Sequence, residues 1–212
     1  MNQSKNIKPR YWSAALVHLE RHDPIMAVLI KKHKSRSYLT TTNSVFTTLF
    51  KIIVGQQISI EVASSIEKKI IKHIGSVTSK KILDLDGDIL RACGLSYRKI
   101  DYIKRIAELI KKKPKYFSQL DSMDDENAIK NLTSLYGIGP WSAEMFLIFH
   151  FNRQNIVPLG DIGLINSFCK NYNFNKKDFS NNISKYKKIW SPYGTVATWF
   201  LWRDIDEDVV QY

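Results

Sequence analysis

Cysteine is scarce in this 212-residue chain, which holds only Cys93 and Cys169. Two thiols cannot supply a four-cysteine zinc or iron–sulfur site, and they do not suggest a disulfide scaffold. Long apolar runs are also missing, because the longest, residues 145–151, is interrupted by His150 and is far too short to cross a bilayer. The first ten residues are polar and basic and lack the apolar stretch of a secretion signal. We therefore expect a cytoplasmic protein with no membrane partner.

Acidic residues are in deficit as well. The chain has 20 Asp and Glu against 32 Lys and Arg, which gives a formal net charge of +12. A surplus of this size favours a polyanionic partner such as nucleic acid. The hydrophobic content of 44% is ordinary for a globular protein and argues against wholesale disorder.

Alternating, strand-like segments are essentially absent, and apolar residues recur at helical spacing in nearly every segment. Asp23 and Pro24 form an N-cap and first-turn pair that opens a helix. The sequence predicts an all-α fold of about ten helices. They cover residues 11–21, 24–32, 45–54, 59–74, 82–91, 100–110, 124–135, 140–149, 161–171, 176–188 and 193–203.

One connection between two of these helices carries a distinctive motif, Leu-Tyr-Gly-Ile-Gly-Pro-Trp-Ser-Ala, at residues 135–143. Its glycines allow a tight turn and a close approach to a neighbour, while Ile138 can fill the gap between the helices. The backbone amides at the start of the next helix can form a phosphate-binding site. A plain helix–turn–helix connection is the alternative, and the basic chain favours a DNA-binding hairpin.

Three further segments accompany this hairpin: Ile-Val-Gly-Gln-Gln-Ile-Ser at residues 53–59, Val-Pro-Leu-Gly-Asp-Ile-Gly-Leu at 157–164 and Trp-Ser-Pro-Tyr at 190–193. In this order and spacing, the four segments resemble the helix–hairpin–helix DNA glycosylase superfamily (HhH-GPD), whose Gly/Pro-rich loop is followed by an aspartate. The pattern is most similar to the alkylation-repair branch, the 3-methyladenine DNA glycosylases of type II, in a short form without an N-terminal sheet domain. The resemblance implies a single glycosylase domain over residues 1–212, with a cleft between two subdomains. One would be residues 45–155, with the hairpin at 135–141, and the other residues 1–44 plus 156–212.

Asp161 is the candidate catalytic residue. Cleavage of a base from deoxyribose develops oxocarbenium charge on the sugar, and a nearby carboxylate stabilises that charge and orients the attacking water. An Asp at the start of a helix is more often an N-cap, and the two roles are compatible. The distance from the hairpin to Asp161 matches the family pattern and favours catalysis.

Trp141 bears on the reaction type. The bifunctional branches of the superfamily place at this position a Lys that attacks the sugar to form a Schiff base, which an indole cannot do. The resemblance therefore implies a monofunctional enzyme that uses water and leaves an abasic site. The face of Trp141 suits a positively charged, N-alkylated purine, and the alternative is a core Trp beneath the hairpin.

The resemblance also assigns residues to the substrate pocket and to DNA. Tyr193, Met145 and Ile162 would line the pocket with Trp141, although Met145 and Gly194 stand where the family often has an aromatic residue and an Arg. Tyr11 or Trp12 could close the pocket. Gly137, Ile138, Gly139 and Ser142 would bind DNA, and Gln57 holds the position of the wedge that fills the space left by a flipped base. The sequence equally allows that Gln57 is only a polar residue in a turn between two helices.

No cofactor is expected to be required. By resemblance, the carbonyls of Thr133, Leu135 and Ile138 match hairpin positions that hold a structural Na⁺ or K⁺. His18 and His22 lie one turn apart and could begin a metal site, but no third ligand is apparent, and a solvated helix face is favoured.

We thus expect a monomeric, monofunctional DNA glycosylase of base excision repair that acts on double-stranded DNA with alkylated purines of the 3-methyladenine and 7-methylguanine type. It would flip the base and hydrolyse the N-glycosidic bond. The alternatives are a non-catalytic helix–hairpin–helix DNA-binding protein and a glycosylase for other damaged bases. The absence of a Lys at position 141 and of a four-cysteine cluster counts against a glycosylase/lyase for oxidised bases.

Overall fold

The structure, a computed structural model, describes residues 8–33, 38–40 and 44–206. Its described part contains thirteen α-helices, one 3₁₀ turn and no strand, so the all-α prediction is confirmed. The helices are α1 Trp12–His22, α2 Pro24–His33, α3 Val45–Gly55, α4 Ile60–Ile74, α5 Ser79–Asp84, α6 Gly87–Ala92, α7 Tyr97–Lys112, α8 Tyr116–Asp121, α9 Asp125–Thr133, α10 Pro140–Phe149, α11 Ile162–Tyr172, α12 Phe179–Trp190 and α13 Gly194–Ile205. The 3₁₀ turn is Lys176–Asp178.

None of the helices in the described ranges is both long enough and apolar enough to span a membrane. The first seven residues, which belong to the polar and basic N-terminal segment, lie outside the described part of the chain.

One predicted helix was wrong and one helix was missed. The single helix expected over residues 82–91 is two helices, α5 and α6, because Asp86 adopts an extended ψ of 139° and its carboxylate caps α6 by accepting from the Asp88 N–H. The six-residue helix α8 was not predicted, since it is too short to show an apolar period.

The chain divides into two compact units. We call Asn43–Phe146 the hairpin unit, and Met1–Thr42 together with Leu147–Gln211 the aspartate unit. The second boundary between the units falls inside α10, between Phe146 and Leu147, whereas the sequence placed a subdomain boundary after residue 155.

Helix α7 is central to the hairpin unit, where it packs against α3, α5 and α6. Its apolar face, Ile100, Ile103, Ile106 and Ala107, is buried as the helical spacing predicted. Phe146 of α10 contacts Phe117 of α8 edge to face, with ring centroids 5.8 Å apart.

Helix α13 has the corresponding place in the aspartate unit, because residues 194–203 are all buried and pack against α1, α2, α11 and α12. Beside it lies a buried carboxylate, Asp23, which caps α2 as predicted by accepting from the Ile25 N–H at 2.9 Å. Its other oxygen accepts from the Tyr172 hydroxyl at 2.6 Å and the Trp190 indole N–H at 2.8 Å. Burial and the neighbouring Asp23 carboxylate raise the pKa of Tyr172 well above its usual range.

A second buried carboxylate in the aspartate unit, Asp204, is surrounded by basic side chains. The Asp204 side chain is only 2% exposed and pairs with Lys32, His33 and Lys170, while Asn171 donates to it at 3.0 Å. Burial acts to raise the pKa of Asp204, but these hydrogen bonds outweigh it and hold the pKa well below the usual range.

Candidate functional site

The hairpin, residues 135–141, joins the end of α9 to the start of α10. Gly137 has a φ of 87°, and a Cβ at this position would overlap the ring of Tyr102, so both the turn and the packing require glycine. Gly139 has no positive φ, a Cβ there would meet nothing, and its carbonyl accepts from the Ala143 N–H at 3.0 Å. Of the two glycines, it is therefore Gly137 that adopts the positive φ of the tight turn.

The hairpin opens onto a depression of about 480 Å³ lined by Gln56, Tyr102 and residues 133–139. The Ile138 N–H is already used within the turn, where it donates to the Leu135 carbonyl at 3.1 Å. A phosphate at this turn could be bound by the amides of Gly137 and Gly139, because backbone N–H groups just before and at a helix start are suited to anions.

Three of the predicted site residues are buried rather than presented to a ligand. Ile138 is 4% exposed, and Ser142 and Met145 are each 2% exposed. Because these side chains serve the interior of the hairpin unit, Ile138 and Ser142 could contact DNA mainly through their backbone, and their assignment to DNA binding stays a prediction. Met145 lies in the buried face of α10, whereas Trp141 is half-buried at its start.

The turn between α3 and α4 carries the predicted wedge. Gln56 has φ −54° and ψ 124°, Gln57 has a φ of 58°, and the Ile58 N–H reaches the Gly55 carbonyl at 3.4 Å. These values match a type II turn, whose third position normally favours glycine or asparagine. We call residues 55–58 the wedge turn. Its exposed Gln57 is held in a left-handed conformation that costs a non-glycine residue about 1–2 kcal/mol, and such strain is concentrated at functional positions.

The two adjacent glutamines have different tasks. Gln57 is exposed, whereas Gln56 turns inward and its Nε2 donates to the Gly137 carbonyl at 3.0 Å and to the Ser142 hydroxyl at 2.9 Å. Gln56 thus links the wedge turn to the hairpin. The sequence alone could not separate the two residues, because the bonds span more than eighty positions.

Lys99 of α7 also holds the wedge turn, and sequence reasoning missed it. Its ammonium donates to the carbonyls of Val54 at 2.7 Å and Gln56 at 2.8 Å, at the C-terminal end of α3 where carbonyls lack helical partners. Burial lowers the pKa of Lys99.

Asp161 lies in the aspartate unit, in the loop before α11. Its Oδ1 accepts from the Leu164 N–H at 2.7 Å, which is the predicted N-cap bond, and from the Trp202 indole N–H at 2.8 Å. The second donor was not predicted. Trp202 is itself fixed by stacking on Phe149, with ring centroids 6.0 Å apart and planes within 9°. The carboxylate is therefore oriented by two donors of different origin.

Helix α13 holds the Asp161 loop at both ends. At the helix start, the Thr195 hydroxyl donates to the Arg153 carbonyl at 2.6 Å and accepts from the Ile156 N–H at 2.9 Å. At the helix end, Trp202 reaches Asp161. Gly163 permits this approach, since a Cβ there would lie 3.1 Å from the Asp161 oxygen and 3.3 Å from the Trp202 ring.

Tyr193, the predicted pocket aromatic, is half-buried just before α13, and its ring meets His18 edge to face at 5.4 Å. His18 also donates from Nε2 to the Ile189 carbonyl at 2.9 Å. The prediction that His18 lies on a solvated helix face was wrong, because its ring is part-buried between these two partners.

Trp12, one of the two residues suggested to close the pocket, belongs to the core, where its ring lies 6.1 Å from that of Trp199. No cluster of three metal-ligating side chains occurs within the described ranges.

Gly194 departs from the Arg of the family pattern for a steric reason. Its N–H donates to the Asn155 side chain at 3.1 Å, and a Cβ at this position would lie 2.6 Å from Val157 and 3.0 Å from Asn155. A side chain here would displace the segment that precedes the Asp161 loop.

The family model described as HhH-GPD superfamily base excision DNA repair protein matches residues 50–192, which include the wedge turn, the hairpin and the Asp161 loop. The chain belongs to this superfamily. As an HhH-GPD protein it is 34% identical over 163 residues to the DNA-3-methyladenine glycosylase 1 of Schizosaccharomyces pombe, covering 73% of this chain and 70% of that protein.

Solved structures agree with the assignment to the HhH-GPD superfamily. The 3-methyladenine DNA glycosylase of Schizosaccharomyces pombe, solved with abasic DNA, superposes with a TM-score of 0.76 at 28% identity, over 94% of this chain and 98% of that one. The 8-oxoguanine glycosylase/lyase of Clostridium acetobutylicum has a TM-score of 0.77 at 15% identity, over 93% of this chain and 71% of that one, which shows a common fold alone.

Proposed function

We propose that this protein is a monofunctional DNA glycosylase of base excision repair that hydrolyses the N-glycosidic bond of alkylated purines. The observation that carries the proposal is the carboxylate of Asp161, held by Leu164 and Trp202 in the loop that follows the hairpin motif. Relatives named as 3-methyladenine DNA glycosylases support the choice of an alkylated purine as substrate.

The chemistry assigned to Asp161 is electrostatic and basic. As the bond to the base breaks, positive charge develops on the deoxyribose, and a fixed carboxylate stabilises it more than mobile water does. The same group orients and deprotonates the water that attacks the sugar. The two hydrogen bonds to Oδ1 fix its direction before substrate binds, so little reorganisation is needed during the reaction.

Trp141 argues against a glycosylase that also cuts the DNA strand. The Trp141 side chain has no amine, so it cannot form the Schiff base through which bifunctional enzymes cut the strand. Its half-buried indole offers a π-face that attracts a cationic base. An N-alkylated purine carries such a charge and leaves readily, so a strong general acid is not required.

The hairpin unit supplies the grip and the wedge. Backbone amides around Gly137 and Gly139 bind a phosphate of double-stranded DNA, and the exposed Gln57 fills the space left by the flipped base. The surplus of Lys and Arg adds a long-range attraction that weakens with salt. The enzyme acts as a monomer.

A monovalent cation would be held beside this grip by the carbonyls of Thr133, Leu135 and Ile138, residues that all line the depression at the hairpin. The donor set fits Na⁺ or K⁺, because three uncharged carbonyl oxygens suit a hard, singly charged ion. Such an ion would add positive charge next to a DNA phosphate. No other cofactor is needed by the proposed hydrolysis.

The test is an excision panel under single-turnover conditions, with duplexes containing 3-methyladenine, 7-methylguanine, 1-methyladenine, hypoxanthine, ethenoadenine or 8-oxoguanine. We expect release of alkylated purines, an intact strand until alkali is added, and full activity in a chelator of divalent metals. Borohydride should trap no covalent protein–DNA adduct. Binding without excision of any base would favour a DNA-binding protein without catalysis, and a trapped adduct would favour a glycosylase/lyase.

A further inference from the structure

Three side chains of α7, spaced three residues apart on one side of the helix, contact the two segments assigned to DNA. Lys99 bonds the end of α3, Tyr102 lies under Gly137, and the Arg105 guanidinium stacks 4.7 Å from the centroid of the Tyr136 ring. A single rigid helix therefore touches both the wedge turn and the hairpin.

The Lys99 ammonium binds the backbone at the start of the wedge turn. The Lys99 Nζ lies 2.7 Å from the Val54 carbonyl oxygen and 2.8 Å from the Gln56 carbonyl oxygen. These two acceptors flank Gly55 and come immediately before the strained Gln57. Without a donor at this point, two carbonyls at a partly buried helix end would lose their partner. The turn could then relax toward a conformation without the positive φ.

The hairpin is tied to the same helix from the other side. The Tyr102 ring occupies the space where a Cβ of Gly137 would be, and it meets Tyr136 edge to face at 5.1 Å. The Gln56 side chain completes the connection through its bond to the Gly137 carbonyl at 3.0 Å. The wedge turn and the hairpin are thus joined by two independent routes, one through α7 and one through Gln56.

We propose that Lys99 is a positioning residue for base flipping. Through its hydrogen bonds to the carbonyls of Val54 and Gln56, it holds the wedge turn at a fixed distance from the hairpin. This inference rests on the proposed glycosylase function. Successive bases are separated by about 3.4 Å along the helix axis. A turn displaced by that distance directs Gln57 at the neighbour of the nucleotide whose phosphate the hairpin holds.

The test compares Lys99→Met with Lys104→Met. Lys104 lies on the same helix and also donates its ammonium to a carbonyl, that of Leu85 at 3.0 Å, but it does not contact the wedge turn. Each variant keeps an unbranched side chain that is one atom shorter, and it removes the ammonium donor. The probe is a duplex with a tetrahydrofuran abasic analogue beside 2-aminopurine, whose fluorescence reports unstacking without any bond cleavage.

At saturating protein, we expect Lys99→Met to lose most of the 2-aminopurine signal and at least about tenfold in single-turnover excision, because small displacements of a positioned group are costly. Lys104→Met should retain both. Affinity for undamaged duplex and the slope of log K against log salt should stay unchanged in both variants, since the Lys99 ammonium is engaged by the protein.

Three outcomes would overturn the inference. A slope smaller by about one unit in Lys99→Met would make Lys99 a phosphate contact. An equal loss in Lys104→Met would mean general damage to α7, and a full signal in Lys99→Met would mean that the turn holds itself. If the wild-type protein excises no base but Lys99→Met still loses the fluorescence signal, the proposed function fails while the positioning role stands.

Discussion

The turn of the hairpin at Gly137 is set by backbone geometry, whereas the direction of the Asp161 side chain is set by the hydrogen bonds that its carboxylate accepts. In the hairpin, a positive φ and a missing Cβ set the turn, and the neighbouring side chains of Ile138 and Ser142 are buried. In the loop, Asp161 has an ordinary φ of −81° and depends on the Trp202 indole.

This difference separates two kinds of task. Main-chain N–H groups can bind a phosphate whatever the side chains are, so a phosphate site requires a particular backbone conformation. Hydrolysis needs a functional group in a fixed direction, so its site needs partners for that group. We therefore expect the hairpin to be sensitive to added atoms and the Asp161 loop to be sensitive to lost functional groups.

The largest effect is expected from Asp161→Asn. The amide keeps the size of the side chain and an oxygen that can cap α11, but it removes the charge, so single-turnover excision should fall by at least about 100-fold. Binding to abasic DNA should persist or tighten, because a charge that repels phosphate is gone. Asp124→Asn, at the N-cap of α9, is the matched control and should excise normally. Substantial activity in Asp161→Asn would reduce Asp161 to a helix cap.

Trp202→Phe should have the next largest effect. The change keeps a ring to stack on Phe149 and removes the indole donor to Asp161, a hydrogen bond to a charged group whose loss should slow excision by at least about tenfold. Trp199→Phe, on the same buried helix, controls for lost ring volume. Equal excision rates in the two variants, measured at equal folded fraction, would show that the indole N–H does not orient Asp161.

The hairpin glycines should respond differently from one another. Gly139→Ala meets no protein atom, so stability should be unchanged while Kd for damaged and undamaged duplex rises roughly fivefold, or about 1 kcal/mol. Gly137→Ala should in addition lose about 1–3 kcal/mol of folding free energy from its strained φ and its overlap with Tyr102.

Gly87→Ala, where a Cβ also meets nothing, is the control for both glycine variants in denaturation and binding experiments. If Gly139→Ala binds undamaged duplex as the wild type does, the hairpin is not at the DNA interface.

The smallest effect on excision, and a clear one on stability, is expected at Asp204. Its lowered pKa means that the ionised carboxylate stabilises the aspartate unit above the ordinary Asp pKa of about 3.9, and that this stabilisation is lost as pH falls below that value. Asp204→Asn should flatten the fall of Tm on acidification. Asp101→Asn removes an exposed pair with Arg105 and should leave the profile unchanged. Equal profiles for the three proteins would contradict the role of Asp204.

The helices were largely predictable because caps and apolar spacing are local signals. Asp23 and Asp161 cap the helices that the sequence assigned to them. The failures are local too, since the break at Asp86 followed by Gly87 is marked by turn residues and not by apolar spacing, and α8 has only six residues. On α4, Val62 shares the apolar spacing of the buried Ile66 and Ile70 but is 48% exposed, because the helix begins at the surface next to the wedge turn.

The candidate site was predictable only where a motif marks it. Asp161 and the hairpin glycines belong to contiguous segments, whereas Trp202, Lys99 and Gln56 act through contacts with residues about forty or more positions away. Such partners depend on tertiary packing, and no periodicity in the sequence encodes them. His18 is a similar case, since its neighbours Ile189 and Tyr193 lie at the opposite end of the chain.

The strained type II turn at Gln57 has a consequence for how the protein would search a genome. Its conformation is stabilised by Lys99 and Gln56 without DNA, so the loss of loop entropy takes place during folding and is absent from each encounter with a duplex. A protein that slides along undamaged DNA then presents the same rigid probe at every base step, with no folding event between contacts. Inspection of a step would be limited by the opening of the base pair, which is easiest where the base is already damaged.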